Sequence, residues 1–275
     1  MYYDLKNDKY IKKNDSNIGL LFLYNTIIGR IILKIFTSRI ISKLYAKYMN
    51  SKLSIHKINK FIKNNNINMD EYEKKKYNSF NDFFIRKIKE NKRKIDNGLI
   101  SICDSKLSVY EINKNTSFKI KNSIYTVEEL IKEENIYNFK YALVFRLCVD
   151  DYHHYSFIDD GKIISNKKIN GVLHTVQPIA FKKHKVFLEN SREVTVLDTK
   201  KYGKVCYVEV GAMMIGKITN LDKNFFKKGE EKGYFEFGGS TVVVLMEDKI
   251  KINEKIIDNT KKDIETIVKL GQSLE

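Results

Sequence analysis

The chain has 275 residues, 43% of them hydrophobic, which is enough to bury a full core and excludes a wholly disordered chain. Lys and Arg outnumber Asp and Glu by 50 to 34, a formal net charge of +16, so anionic partners are expected: nucleic acid, or a membrane surface carrying acidic lipids. Cys103, Cys148 and Cys206 stand far apart with no CxxC pair, which argues against a disulfide framework or a local zinc site and for a reducing compartment.

The opening MYYDLKNDKYIKKNDSN is polar and has no signal-peptide apolar core. Ile18 to Phe36, IGLLFLYNTIIGRIILKIF, is the most apolar stretch, but Arg30 and Lys34 interrupt it, so it falls short of a spanning helix. Thr26, Arg30 and Lys34 repeat every four residues opposite Ile27, Ile28, Ile31 and Ile35, the pattern of an amphipathic helix. Such a helix packs on its own domain or lies in a membrane interface; both readings stay open. Apolar spacings of three and four predict helix over residues 18–95. MDEYEKKKYNSFNDFFIRKIKENKRKI fits two helices, the second capped by Asn78-Ser79 or Asn81.

From about residue 100 the texture changes to short β-rich runs separated by turn residues: LISICDSKLSVYEI, YALVFRLCV, SREVTVLDT, KVCYVEVGAMMIGKI and STVVVLMED. The tail, NTKKDIETIVKLGQSLE, reads as a short helix capped by Asn259 or Thr260. The expected fold is α+β: a helical, membrane-surface-associating region over 1–99, then a largely antiparallel β body over 100–275.

Two stretches invite chemistry. CVDDYHHYSFIDDG packs Asp150, Asp151, His153, His154, Asp159 and Asp160 together. In a strand His153 and His154 would face opposite sides. With no HxH or HxxxH spacing, no metal is expected. In KGEEKGYFEFGGSTVVVLM, Gly238-Gly239 stands directly before Ser240. Paired glycines weaken a strand, so they mark a bulge or a backbone that something must approach closely. GxSxG is absent, so the nucleophile elbow of hydrolases does not apply. The lysines are spread through the chain with no recognised nucleic-acid motif, and no nucleic-acid partner is expected.

FNDFFIRK (Phe80–Lys87), FRLCVDDYHHYSFIDDG (Phe145–Gly161), GVLHTVQPIA (Gly171–Ala180), VEVGAMMIGKI (Val208–Ile218) and KKGEEKGYFEFGGST (Lys227–Thr241) resemble, in order, segments of the bacterial pyruvoyl-dependent phosphatidylserine decarboxylases. The resemblance implies autocatalytic serinolysis at Gly239-Ser240, in which the serine attacks the carbonyl of the glycine before it. It gives a β chain of residues 1–239 and an α chain of 240–275, assembled as a heterodimer, with further homo-oligomerisation left open. It implies a pyruvoyl cofactor derived from Ser240, which takes the substrate amine as a Schiff base while phosphatidylserine loses carbon dioxide to become phosphatidylethanolamine. It also implies residence on the cytoplasmic side of the cell membrane, as a peripheral protein on an anionic surface.

Carried over position by position, Asp104 takes the place of the charge-relay aspartate and His153 that of the first histidine of the DYHRxH pattern. The second histidine of that pattern falls on Ser156, and the glycine after the aspartate is Ser105. A serine cannot act as a general base at neutral pH, so His154 and His174 are the further candidates. Two alternatives remain: a catalytically impaired lipid-binding relative, and a basic nucleic-acid-binding protein.

Overall fold

The computed structural model describes residues 1–12, 18–113, 116–120, 123–134, 136–213, 217–238, 240–247 and 250–275. Two short strands open the chain, β1 (Tyr2–Asp4) and β2 (Lys9–Ile11), followed by helices α1 (Ile18–Asn25), α2 (Ile27–Phe36), α3 (Arg39–Met49), α4 (Lys57–Asn65) and α5 (Phe80–Phe84). Then come β3 (Ser105–Glu111), β4 (Ser117–Ile120), β5 (Ser123–Thr126), α6 (Val127–Ile131), β6 (Tyr141–Leu147), β7 (His154–Ser156) and β8 (Gly161–Ile169). The remainder is α7 (Val186–Glu189), β9 (Arg192–Thr199), β10 (Gly203–Val210), β11 (Ile218–Asn220), β12 (Phe225–Phe226), β13 (Glu231–Phe235), β14 (Ser240–Met246), α8 (Glu254–Lys261) and β15 (Glu265–Val268).

Among the described residues a ten-stranded sheet runs β12-β8-β9-β10-β14-β6-β3-β15-β1-β2. Its pairings are antiparallel except β1 with β15. The fold is thus α+β, with helices first and a mainly antiparallel body after them. Each of the β-rich runs read from the sequence supplies a strand: β3, β6, β9, β10 and β14. Residues 2–11, expected within the helical region, instead form β1 and β2 at the sheet edge. The tail differs too. Its helix begins earlier, at Glu254, capped by Asn253 Oδ1 accepting the Lys255 N–H, and Glu265–Val268 is a strand. The alternation of Thr266 and Val268, both buried, against half-buried neighbours explains why β wins there.

The expected helix over 18–36 is broken. α1 and α2 meet at 104°, because Thr26 leaves helical geometry (φ −101°, ψ 156°) to cap α2, its Oγ1 accepting the Gly29 N–H. No single helix among the described residues is long and apolar enough to cross a membrane. The two-helix reading of 69–95 shrinks to a 3-10 turn at Met69–Glu71 and the five-residue α5, which Ser79 caps through the Asp82 N–H.

β14 is buried along its whole length. Val243 and Leu245 enter one core with Leu20, Tyr24 and Leu33 of the N-terminal helices. Val242, Val244 and Met246 enter the other, with Phe145, Tyr155 and Phe235. By the period-two alternation of a strand, Ser240 shares the second face and Thr241 the first. Over that second face lies a small sheet, β11-β13-β7. It is tied to the large one by an ion pair between Lys232 on β13 and Glu209 on β10, 2.7 Å apart with both side chains at most 1% exposed. Lys232 also donates to Thr195 Oγ1 and Asn220 Oδ1. Burial raises the Glu209 pKa, and Lys232 draws it part of the way back.

Removing one partner of such a pair strands a buried charge. In a Ser240→Ala background, Lys232→Met is therefore expected to lower the unfolding free energy by about 3–5 kcal/mol, and Lys232→Met with Glu209→Leu to recover most of the loss. Urea titration followed by circular dichroism measures both. A single-variant loss below about 1 kcal/mol would contradict this role.

Candidate active site

Ser240 opens β14, opposite Leu147 of β6, and is fully buried. Its Oγ has no hydrogen-bond partner among the described residues. Other buried hydroxyls share that state, those of Thr241 and Ser105 among them, so what sets Ser240 apart is its place directly after the paired glycines. The expected cleavage residue Gly239 lies outside the described residues. Gly238 before it has φ +139°, a backbone state that side chains other than glycine's resist.

The FNDFFIRK segment holds the approach to that serine. Asn81 on α5 accepts the Phe237 N–H on Oδ1 at 2.9 Å and donates through Nδ2 to Asn50 Oδ1. Phe80 and Phe84 meet the Phe237 ring edge-on, centroids 4.9 and 5.1 Å away. Phe84 in turn lies 4.3 Å from the ring of His153. One aromatic chain thus joins the backbone ahead of Ser240 to the histidine of DYH.

His153 is fully buried. Its Nδ1 meets the Asp151 carbonyl oxygen at 2.9 Å, while Nε2 has no partner among the described residues. A carbonyl can only accept, so Nδ1 carries the proton and Nε2 keeps its lone pair. Burial lowers the His153 pKa to about 4, with Arg86 and His154 adding to the effect and Asp151 opposing it. The ring is neutral at pH 7. The Asp151 carboxylate is itself fixed: Oδ2 takes Lys106 Nζ at 2.7 Å and the Cys148 N–H at 2.8 Å.

Asp104 stands elsewhere in this network. Its oxygens accept from Arg93 at 3.1 Å, Lys269 at 2.8 Å and the Leu270 N–H at 2.8 Å. Burial alone would raise its pKa, but Lys269 and Arg93 outweigh that and hold it below the ordinary carboxylate range. No hydrogen bond joins it to His153, whose tautomer is set by the Asp151 carbonyl instead. Ser156 abuts the same turn, its N–H donating to the Ile102 carbonyl at 2.8 Å and its Oγ to the same atom at 3.3 Å. The place implied for a relay histidine therefore holds a short side chain, and two cations have taken the aspartate.

His154 is fully engaged: Nδ1 with Glu231 at 3.0 Å, Nε2 with the Ile85 carbonyl at 3.2 Å, and its ring stacked on Tyr152. His174 belongs to another cluster, with Tyr24, His184 and Glu189. Asn81, Phe84, Phe237 and Lys106 are not among the candidates the sequence singles out, and Asp151 is singled out only as a member of the polar cluster. Their segments were visible in the sequence, but their contacts span separations such as 156 residues from Asn81 to Phe237.

Beside this site, α3, α4 and α5 enclose a cleft of about 420 Å³. Tyr45, Met49, Phe61, Phe80 and Phe237 form its apolar wall, and Lys57 and Lys60 also line it.

The family model described as phosphatidylserine decarboxylase matches residues 80–274. Phosphatidylserine decarboxylase proenzyme 2 of Clostridium acetobutylicum is 53% identical over 279 residues, covering 98% of this chain and 96% of its own. The phosphatidylserine decarboxylase proenzymes of Clostridium tetani and Desulfitobacterium hafniense are 38% and 36% identical, each covering 99% of this chain and 97% of their own.

The neutral state of His153 carries a pH signature. An unfolded histidine titrates near 6.5 and this one near 4, so between those values the unfolded chain binds the extra proton. His153's contribution is intact above pH 6.5 and is lost as pH falls toward 4, by an amount on the order of 3 kcal/mol. In the Ser240→Ala background, His153→Gln should flatten the decline in urea stability over that window. Parallel pH profiles for the two chains would refute a neutral buried His153.

Proposed function

The chain belongs to the phosphatidylserine decarboxylase family, and we propose that it is a self-processing member that cuts its own Gly239–Ser240 bond and then decarboxylates phosphatidylserine. The observation that carries this reading is a pair of unpartnered buried atoms, Ser240 Oγ and His153 Nε2, on segments linked by the rings of Phe237 and Phe84, with Gly238 at φ +139° just ahead of the serine. Ser240 Oγ attacks the carbonyl carbon of Gly239, the C–N bond breaks, and an ester replaces the amide. His153 Nε2, neutral and with its lone pair free, takes the Oγ proton and returns it to the Ser240 nitrogen as the C–N bond breaks. Loss of the Ser240 α-proton then expels the Gly239 carboxylate. The dehydroalanine left behind takes up water and releases ammonia, which leaves a pyruvoyl group at the head of residues 240–275.

The residues present suit that group: it forms from the chain itself, at the buried start of a central strand. It supplies a carbonyl that holds the substrate's amine and draws electrons as carbon dioxide leaves. The protein's part is positional. Phe80, Phe84 and Phe237 keep water from the substrate carboxylate, and His153 Nε2 lies in the same aromatic setting to hold or return a proton. The cleft between α3 and α5 suits a lipid, its apolar wall for acyl or glycerol carbons and Lys57 and Lys60 for the phosphate.

The exposed faces of α2 and α3 support delivery from a bilayer. Ile27, Ile28, Ile31, Ile35, Ile40 and Leu44 are 54–73% exposed, among the exposed cations Arg30, Lys34, Lys43 and Lys47. An isoleucine-rich face ringed by lysine and arginine suits the interface of an acidic membrane, with the protein peripheral on its cytoplasmic side. A second reading, lipid binding without turnover, is favoured by Ser156 and by the occupied Asp104.

Intact-mass analysis separates the two. The purified chain should appear as residues 1–239 and a 36-residue fragment (275 − 239) blocked by a ketone, while Ser240→Ala stays whole. His153→Ala should slow the cut by about a hundredfold or more; an uncut parent chain would leave only the binding reading. For the membrane face, Ile28→Glu with Ile31→Glu should weaken co-sedimentation with phosphatidylserine vesicles at least about tenfold, since each buried isoleucine contributes roughly 1.5–3 kcal/mol. Undiminished binding would remove α2 from the interface.

A further inference from the structure

His174, His184 and Glu189 gather beside α1, a part of the molecule the proposed reaction does not use. Glu189 Oε2 lies 3.0 Å from His184 Nδ1 and 3.4 Å from His174 Nε2, and the three ligand atoms fall within 4.8 Å of one another. Each imidazole turns a nitrogen toward the same carboxylate oxygen, and the two rings are stacked with centroids 3.8 Å apart. We propose that these three side chains bind one divalent transition-metal ion, zinc being the ion this donor set suits best, with water as the fourth ligand.

The distances carry the first argument. Zinc bonds of about 2.0–2.1 Å place neighbouring ligands of a tetrahedron roughly 3.3 Å apart, and the two edges to Glu189 Oε2, at 3.0 and 3.4 Å, bracket that value. The third edge, between the imidazole nitrogens, closes if His184, 29% exposed, gives up its stacking on His174 and swings about its contact with Glu189.

The surroundings carry the second. His174 Nδ1 lies 3.3 Å from the Tyr24 hydroxyl. With Nδ1–H donating to that oxygen, Nε2 presents its lone pair to the ion, the arrangement in which metal-bound histidines are usually held. Tyr24 is buried and accepts the Thr175 N–H at 3.1 Å, which fixes its hydroxyl beside His174. The other oxygen of Glu189 accepts the Lys185 N–H at 2.8 Å, which leaves Oε2 for the ion. Asn190 clamps the His174 backbone, receiving its N–H and donating to its carbonyl. The nearest cations are engaged: Lys183 Nζ bonds the Tyr24 carbonyl, and Lys185 Nζ reaches toward Glu129. Glu189, 38% exposed, leaves a path for the ion to enter.

An ion here would bind α1, through Tyr24, to the loop of His174 and to α7, and so pin the membrane-facing helices to the sheet. The site has no local spacing to betray it. Ten residues separate the histidines, and the fold alone brings them together.

The test uses the full, tag-free chain, stripped with chelator and titrated with Co²⁺. The proposal predicts visible ligand-field bands of tetrahedral cobalt that saturate at one ion per chain and vanish on adding Zn²⁺. His184→Ala and Glu189→Gln, both at partly exposed positions, should each weaken binding about tenfold or more with unchanged circular dichroism. If one variant misfolds, the other decides. A parent chain with no saturable band, or variants that bind like the parent, would mean a hydrogen-bonded cluster only and overturn the assignment.

Discussion

The hydrogen bond from the Phe237 N–H to Asn81 Oδ1 fixes the backbone just ahead of Gly239, and most of the candidate site depends on it. α5 has only five residues and could not hold a helix alone. It stands because Ser79 caps it, because Ser54 Oγ accepts the Phe80 N–H, and because Phe80, Phe83 and Phe84 fill a separate core with Met49 and Ile58. That core passes its rigidity along Phe237 to the turn at Gly238, whose positive φ only glycine takes freely, and along Phe84 to His153. One asparagine and three phenylalanine rings hold that turn in place.

A second constraint holds the frame behind that contact. Lys232 and Gly233 come from the same KGEEKGYF run as the lead-in to Ser240, yet neither does chemistry. Lys232 locks the small sheet to β10 through Glu209. Gly233 is required by crowding, since a Cβ there would sit 2.4 Å from the Thr219 carbonyl oxygen. Gly229 turns the chain at φ +77°. The spacing that looked like a signature of reactivity is mostly the signature of a scaffold, with Ser240 the part whose hydroxyl has no partner among the described residues.

How much of this was legible in the sequence varies with the range of the interactions. Strands β3, β6, β9, β10 and β14 were readable because buried strands concentrate β-branched and aromatic residues locally. The glycine pair before Ser240 was readable because only backbone geometry explains it. β1 and β15 were not, for their pairing joins residues 2–4 to 265–267. The bend at Thr26 was hidden by an apolar periodicity that continues across it, while the capping hydroxyl decides the break. The charge network was the least legible. Asp104 looked like a partner for histidine, but Arg93, Lys269 and the Leu270 N–H arrive from distant segments to claim both oxygens. His153 depends on a main-chain carbonyl, which no side-chain motif can announce.

The most direct test of the clamp is the rate at which freshly translated Asn81→Ala chain is cut ahead of Ser240, followed by gel against the parent. Losing the Asn81 acceptor leaves the Phe237 N–H unsatisfied and the Gly238 turn free to relax, at a cost of about 1–3 kcal/mol. The account predicts cleavage slowed roughly tenfold or more, with the circular dichroism of an intact fold. Cleavage of Asn81→Ala at the parental rate would contradict it.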